Sequence, residues 1–155
     1  QADLRVSLPA VWRTGISYEI QYRLFISADY ERQNWSEYVG VSNTNENMRN
    51  SQSYHLGLEY MPKYNSTRYW DLILYRAGFS YKQTPLVIGT KPVDDINVSF
   101  GMSLPVGRGL VNLINFSFVA GQRGSISAQT FRERYGRVVV GFSLKDEWFR
   151  KFKVD

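Results

Sequence analysis

The chain has 155 residues, 43% of them hydrophobic and 15% aromatic, with a formal net charge of +5 and no cysteine. Disulfide frameworks and cysteine-based metal sites or nucleophiles are thereby excluded. A helical membrane protein is excluded as well, because no run approaches the roughly 18 apolar residues that a membrane helix needs; a β-barrel is not, since half of each of its strands faces a polar lumen.

The chain opens Gln1-Ala2-Asp3 without a charged segment and apolar run, as expected of a mature protein or a piece of one. The first predicted strand covers residues 11–20, with Trp12, Thr14, Ile16, Tyr18 and Ile20 on one face and Arg13, Gly15, Ser17 and Glu19 on the other. That period of two is the mark of a strand with one apolar side. A tight turn near Ile20-Gln21 leads into a second strand, 22–32. There Tyr22, Leu24, Ile26, Ala28 and Tyr30 oppose Arg23, Ser27, Asp29 and Glu31, with Phe25 among the latter. Residues 33–52 are polar and rich in asparagine, and read as a long loop.

The third strand, 53–61, sets Tyr54, Leu56, Leu58 and Tyr60 against His55, Gly57 and Glu59. Pro62-Lys63-Tyr64-Asn65-Ser66 marks a compact turn. The fourth strand, 69–82, places Ile73, Tyr75, Ala77, Phe79 and Tyr81 opposite Leu72, Leu74, Arg76, Gly78 and Ser80. A second long connection, 83–94, has Pro85, Gly89 and Pro92 as breakers. Alternation is clearest in the fifth strand, 95–104, and Pro105-Val106-Gly107-Arg108-Gly109 closes a short turn after it. A sixth strand over 110–120, a third long connection over 121–134 and a seventh strand over 135–145 complete the reading. In the seventh, Val138, Val140, Phe142 and Leu144 oppose Arg137, Val139, Gly141 and Ser143; Gln129 to Arg134 is the one short helical turn expected.

The joins alternate short and long, as in outer-membrane barrels with short periplasmic turns and longer extracellular loops. Joins near Gln21, Asn65 and Gly107 then lie inside, those near Asn45, Gly89 and Ser125 outside, and the C-terminus is periplasmic. The predicted fold is all-β: an antiparallel up-and-down transmembrane β-barrel with seven or eight strands present. The eighth candidate, 3–8, is short against the roughly 9–11 residues of a membrane strand. An odd count favours a fragment of a larger barrel.

Several motifs carry a family resemblance: Ala28-Asp29-Tyr30 with Asn34-Trp35-Ser36, Leu56-Gly57-Leu58-Glu59-Tyr60-Met61-Pro62, Tyr75-Arg76-Ala77-Gly78-Phe79, Ser99-Phe100-Gly101-Met102-Ser103-Leu104-Pro105, and Trp148-Phe149-Arg150-Lys151-Phe152-Lys153. In this order they resemble the C-terminal half of outer-membrane proteins of the long-chain fatty-acid transporter family, in its Bacteroidota variants. The resemblance implies a barrel of about fourteen strands, about half of it present. It also implies passage of hydrophobic small molecules across a Gram-negative outer membrane, or an accessory role in a secretion or transport complex. Outer-membrane lipid, a hydrophobic small molecule, and a partner chain or missing barrel half are the expected partners. The hatch of that family has no counterpart in the sequence.

Eight charged or titratable residues fall on the polar faces and are the lumen-lining candidates: Arg13, Arg23, Asp29, Glu31, His55, Glu59, Arg76 and Arg137. They either pair as a salt-bridged filling or serve as substrate and selectivity groups, and Arg76 with Asp29 and Glu59 is the first grouping to examine. His55 is the single histidine and stands in no Gly-x-Ser-x-Gly or His-Glu-x-x-His motif. No covalent catalysis, metal or cofactor is therefore expected. Asp94-Asp95 and Asp146-Glu147 read as solvated turn acids rather than a Ca²⁺ site. Basic residues are scattered apart from the C-terminal tail, so no nucleic-acid partner is expected. Trp35, Tyr38, Tyr69, Trp70, Trp148 and Phe149 lie near strand ends, either as membrane-interface anchors or as strand packing. The alternative is a soluble β-barrel that buries Ile96, Val98, Phe100 and Met102 around an apolar ligand.

Overall fold

The computed structural model describes residues 8–38, 48–107, 112–124 and 132–144. Residues 3–7 of the candidate strand 3–8, Asp146-Glu147, Trp148, Phe149 and the basic tail lie outside these residues. One antiparallel sheet contains all seven strands, in sequence order: β1 (Val11–Ile20), β2 (Leu24–Gln33), β3 (Ser51–Tyr60), β4 (Leu74–Ile88), β5 (Lys91–Val106), β6 (Asn112–Gly124) and β7 (Arg132–Ser143). Two 3-10 turns, Trp35–Glu37 and Tyr69–Leu72, are the helical elements among the described residues. No helix here is long and apolar enough to cross a membrane, which leaves crossing by strands untouched. The architecture is thus all-β, antiparallel and up-and-down, as expected. The sheet is open, with β1 and β7 as its edges.

Register keeps the two faces in phase across every ladder. Ile16 pairs with Ala28, Ala28 with Leu56, Leu56 with Phe79, Phe79 with Val98, Val98 with Ala120 and Ala120 with Gly136. The adjacent row runs Gly15, Asp29, His55, Ser80, Asn97, Gly121 and Tyr135. A slip of one residue in any ladder would put apolar side chains into the polar row. The polar face is the more enclosed one. Ser53 and Ser103 are buried on this face, whereas Leu56, Phe100 and Val138 on the other are 55%, 49% and 70% exposed. Among the described residues only Ile73 and Val93 are buried hydrophobics, and neither belongs to the lipid-like outer rows. Val98 and Phe100, which a soluble barrel would bury, stand on the open face.

Several connections differ from the sequence reading. The first turn comprises Gln21, Tyr22 and Arg23, and Arg23 donates its N–H to Ile20 O at 3.0 Å. Tyr22 has φ 57°, unusual for a bulky residue. Its ring stacks on Tyr64 at 4.5 Å, a contact between two turns that holds this conformation. Arg23 accordingly sits in the turn and not on a strand face. The fourth strand begins at Leu74 instead of residue 69, since Tyr69–Leu72 is a 3-10 turn tied to its surroundings by Asp71 O, which accepts from Lys63 N–H at 3.1 Å.

The connection 83–94 is a correction of another kind: it is strand. β4 and β5 continue to Ile88 and Lys91 and turn through Gly89-Thr90, with Gly89 at φ 66°. Glycine at the first position of a two-residue hairpin turn allows the II′ geometry that matches strand twist. The two prolines are tolerated for positional reasons. Pro85 lies in the register shift between Gln83 and Val87, and Pro92 lies beyond the last β5–β6 pair, Asp94 with Gly124. The third long connection is also shorter than expected, because β6 runs to Gly124 and β7 starts at Arg132; residues 132–134 are strand, not helix.

Candidate membrane surface and polar interior

The outer face is a belt framed by tyrosines. Tyr30, Tyr54 and Tyr81 align across β2, β3 and β4, with ring centroids 5.1 Å and 6.4 Å apart. Six residues further along β3 and six back along β4, Tyr60 pairs with Tyr75 in a second row. At about 3.4 Å per residue the rows are about 20 Å apart along the strands. Between them lie Leu56, Leu58, Ala77 and Phe79, and the band continues through Val98, Phe100, Phe118 and Val138. A membrane barrel presents such an apolar band, about 25 Å tall, between aromatic girdles.

Of the interface aromatics proposed from sequence, Trp35 and Tyr38 meet edge to face at 5.6 Å just beyond β2. Tyr69 and Trp70 do the same at 6.1 Å before β4, with Trp70 72% exposed. Tyr69 donates its hydroxyl to Pro105 O at 3.1 Å, which fixes its turn against β5. Trp148 and Phe149 lie outside the described residues. The strand tyrosines were read in the sequence only as members of apolar faces, and it is the register that lines them up.

On the polar face the proposed lumen residues fall into separate groups. Arg13 and Glu31 form a cross-strand pair at 2.5 Å. Arg76 Nε meets Glu59 Oε2 at 2.7 Å, and Arg76 Nη1 donates to Ser103 Oγ at 2.6 Å. Ser103 Oγ donates to Asn115 Oδ1 at 2.6 Å, and Asn115 Nδ2 donates to Ser143 Oγ at 3.0 Å. One chain of side-chain bonds therefore links β3, β4, β5, β6 and β7. Asp29 is not part of it, contrary to the grouping expected from sequence, because register places Asp29 beside His55 and Glu59 beside Phe25. Arg137 faces the interior opposite Val119 and forms no ion pair with a described residue.

A second cluster was missed. Asp95, 6% exposed, accepts from Arg123 Nε at 2.8 Å and from the Tyr135 hydroxyl at 2.7 Å. Asp94 is bound by Arg49, whose guanidinium also donates to Thr84 O at 2.8 Å and Val93 O at 3.0 Å. These two acids are therefore structural anchors and not solvated turn acids. Their partners lie 28, 40 and 45 residues away, so local sequence carried no signal except the Gly89-Thr90 turn that brings the strands together.

Register also sets Asp29, His55 and Ser80 in one row across β2, β3 and β4. They are not assembled as a nucleophilic triad. No hydrogen bond joins them, and the Asp29 carboxylate leans the other way, over Gly15 on β1. The ladder also engages the surrounding strand N–H groups that an oxyanion would need.

No curated protein and no solved structure matches the chain. A family model does match, over residues 1–155, and it is that of BamG, a family distinct from the long-chain fatty-acid transporters that the motifs resemble; the chain belongs to the BamG family.

Proposed function

We propose that this chain is a membrane-embedded wall of an outer-membrane protein and serves β-barrel assembly as an accessory component. The family name associates it with the outer membrane and with a barrel-assembly partner. The observation that carries the embedding is the exposed apolar belt between two tyrosine rows, with no apolar core behind it among the described residues. In water such a sheet would leave its largest apolar surface uncovered; in lipid that surface is matched, and the ladder satisfies the backbone groups between strands.

The hairpin tip at Gly89-Thr90 faces outward in this reading, and the end bearing Tyr22 and Tyr64 faces the periplasm. The polar wall contributes stiffness and no covalent chemistry. Passage of hydrophobic molecules rested on the fatty-acid transporter resemblance and loses its basis with it. Depletion of the protein in its host tests the assembly role: folded, heat-modifiable outer-membrane proteins fall in amount. Unchanged levels would overturn that role, and release of the protein by carbonate washing would overturn the embedding.

A further inference from the structure

Charge on the apolar side of the sheet is confined to one end. Every second residue of a strand faces the same way, so register fixes which side chains share the face of the apolar belt. The row of that face nearest the Gly89-Thr90 tip contains Arg32, Gln52, Gln83, Asp94 and Arg132. The next row continues the tyrosine line of Tyr30, Tyr54 and Tyr81 to Gln122 and Arg134. Beyond these two rows the described strand residues of that face include no charged side chain, as far as the opposite row that runs from Ile20 through Tyr60 and Tyr75 to Val140.

The sign is as one-sided as the position. Asp94 is the one acid of the two rows among the described residues, and it is taken up internally: Arg49 holds it, and Tyr81 donates its hydroxyl to Asp94 Oδ2 at 3.2 Å. Arg32, Arg132 and Arg134 are all exposed. On the inner face at the same end the cations are matched by acids instead, Arg13 with Glu31 and Arg123 with Asp95. A cation on the lipid side is costly near the bilayer midplane and cheap at the interface, where its guanidinium reaches the headgroups. Arg134 stands opposite Gln122. Arg132 lies two residues away on the same face, so two guanidinium-bearing positions about 7 Å apart flank one amide. Arg32 lies five strands away, about 24 Å at the usual strand spacing, and meets a different lipid molecule.

We infer that this rim binds the phosphate groups of anionic lipids in the leaflet next to the Gly89-Thr90 tip, which is the outer leaflet in the reading above. Planar guanidinium groups present paired N–H donors that match phosphate oxygens, and the glutamine amides add neutral donors beside them. The opposite row brings aromatic and aliphatic side chains and no cation, so the preference belongs to one leaflet. This inference rests on the membrane reading and is independent of the assembly role.

The test folds the full chain in detergent micelles that hold phosphatidic acid and phosphatidylcholine in equal amounts, and counts the lipids retained by native mass spectrometry. Phosphatidic acid, which ends in a phosphate monoester, should be retained in preference. Arg132→Gln and Arg134→Gln should each lower that preference about fivefold, the effect of one arginine at an anionic headgroup. Arg32→Gln gives a second reading from β2 if a β7 variant fails to fold. Lys82→Gln removes the same charge from the inner face, where register sets Lys82 opposite Ser53 and Asp95, and should leave the preference unchanged. Glycerol 3-phosphate, the same headgroup without acyl chains, should not displace the lipid at equal concentration. Equal retention of the two lipids, a loss in Lys82→Gln as large as in the arginine variants, or displacement by glycerol 3-phosphate would overturn the inference. Retention of neither lipid would overturn the membrane reading along with it.

Discussion

Replacing Gly121 by alanine drives a methyl group into the ring of Tyr135. That ring crosses β6 over Gly121 so that its hydroxyl reaches Asp95 on β5 at 2.7 Å. A Cβ at position 121 would lie 2.5 Å from the Tyr135 hydroxyl and 2.8 Å from Asn97 Cβ. The tyrosine ring yields and its hydrogen bond is lost, while Asn97 Cβ, fixed by the β5 backbone, forces the β5–β6 ladder to shift as well. A hydrogen bond to a charged group contributes about 1.5–3 kcal/mol. Tyr135→Phe removes the same bond while leaving the glycine untouched, and should cost this amount alone, less than Gly121→Ala. Because both changes remove one shared interaction, the double variant should cost little more than Gly121→Ala alone, with a coupling energy of about 1.5–3 kcal/mol. Urea unfolding of the protein in lipid vesicles, followed by tryptophan fluorescence, supplies the free energies. Strictly additive losses would show that Tyr135 does not lie over Gly121 and would refute the reasoning.

Depth along β5 supplies another expectation. Phe100→Arg, between the tyrosine rows, should cost about 2–4 kcal/mol in a bilayer, and Val106→Arg, at the strand end, about 0–1 kcal/mol. Equal, small effects at both positions in vesicle unfolding would count against the lipid belt. Arg49→Ala removes the guanidinium held by Thr84 O, Val93 O and Asp94, and should loosen the β4–β5 hairpin tip locally by about 1.5–3 kcal/mol. Limited proteolysis should then cut within residues 84–93 while the rest of the sheet stays protected; an unchanged digest would contradict this. Glu59→Gln should cost about 0.2–1 kcal/mol, since both members of the Arg76 pair are about 40% exposed. A loss several times larger in the same unfolding assay would mean that the pair is far better shielded than its exposure indicates.

The two-faced character of every strand was legible because successive side chains of a strand point to opposite sides, and residues such as Ile96, Val98, Phe100 and Met102 record that directly. The extension of β4 and β5 was not legible. Pro85 and Pro92 look like breakers in one dimension, and only their places, in a register shift and beyond the end of β6, make them harmless. The anchor at Asp95 was hidden for a different reason: Arg123 and Tyr135 reach it from two further strands, and no local pattern encodes that meeting. The motifs that resembled the fatty-acid transporters misdirected the family assignment. A bilayer imposes alternation and aromatic strand ends on any membrane strand, so short motifs of that kind separate families poorly.

Sequence alone determined that seven segments would each have one apolar and one polar side, because that follows from chain geometry at every residue. Tertiary structure decided what no single strand contains. Register put Arg76 with Glu59 and not with Asp29, aligned the tyrosines into rows, and made the polar side the more enclosed one. It also left β1 and β7 as open edges running the same way, because pairing is a relation between strands and its parity appears only when all seven are assembled.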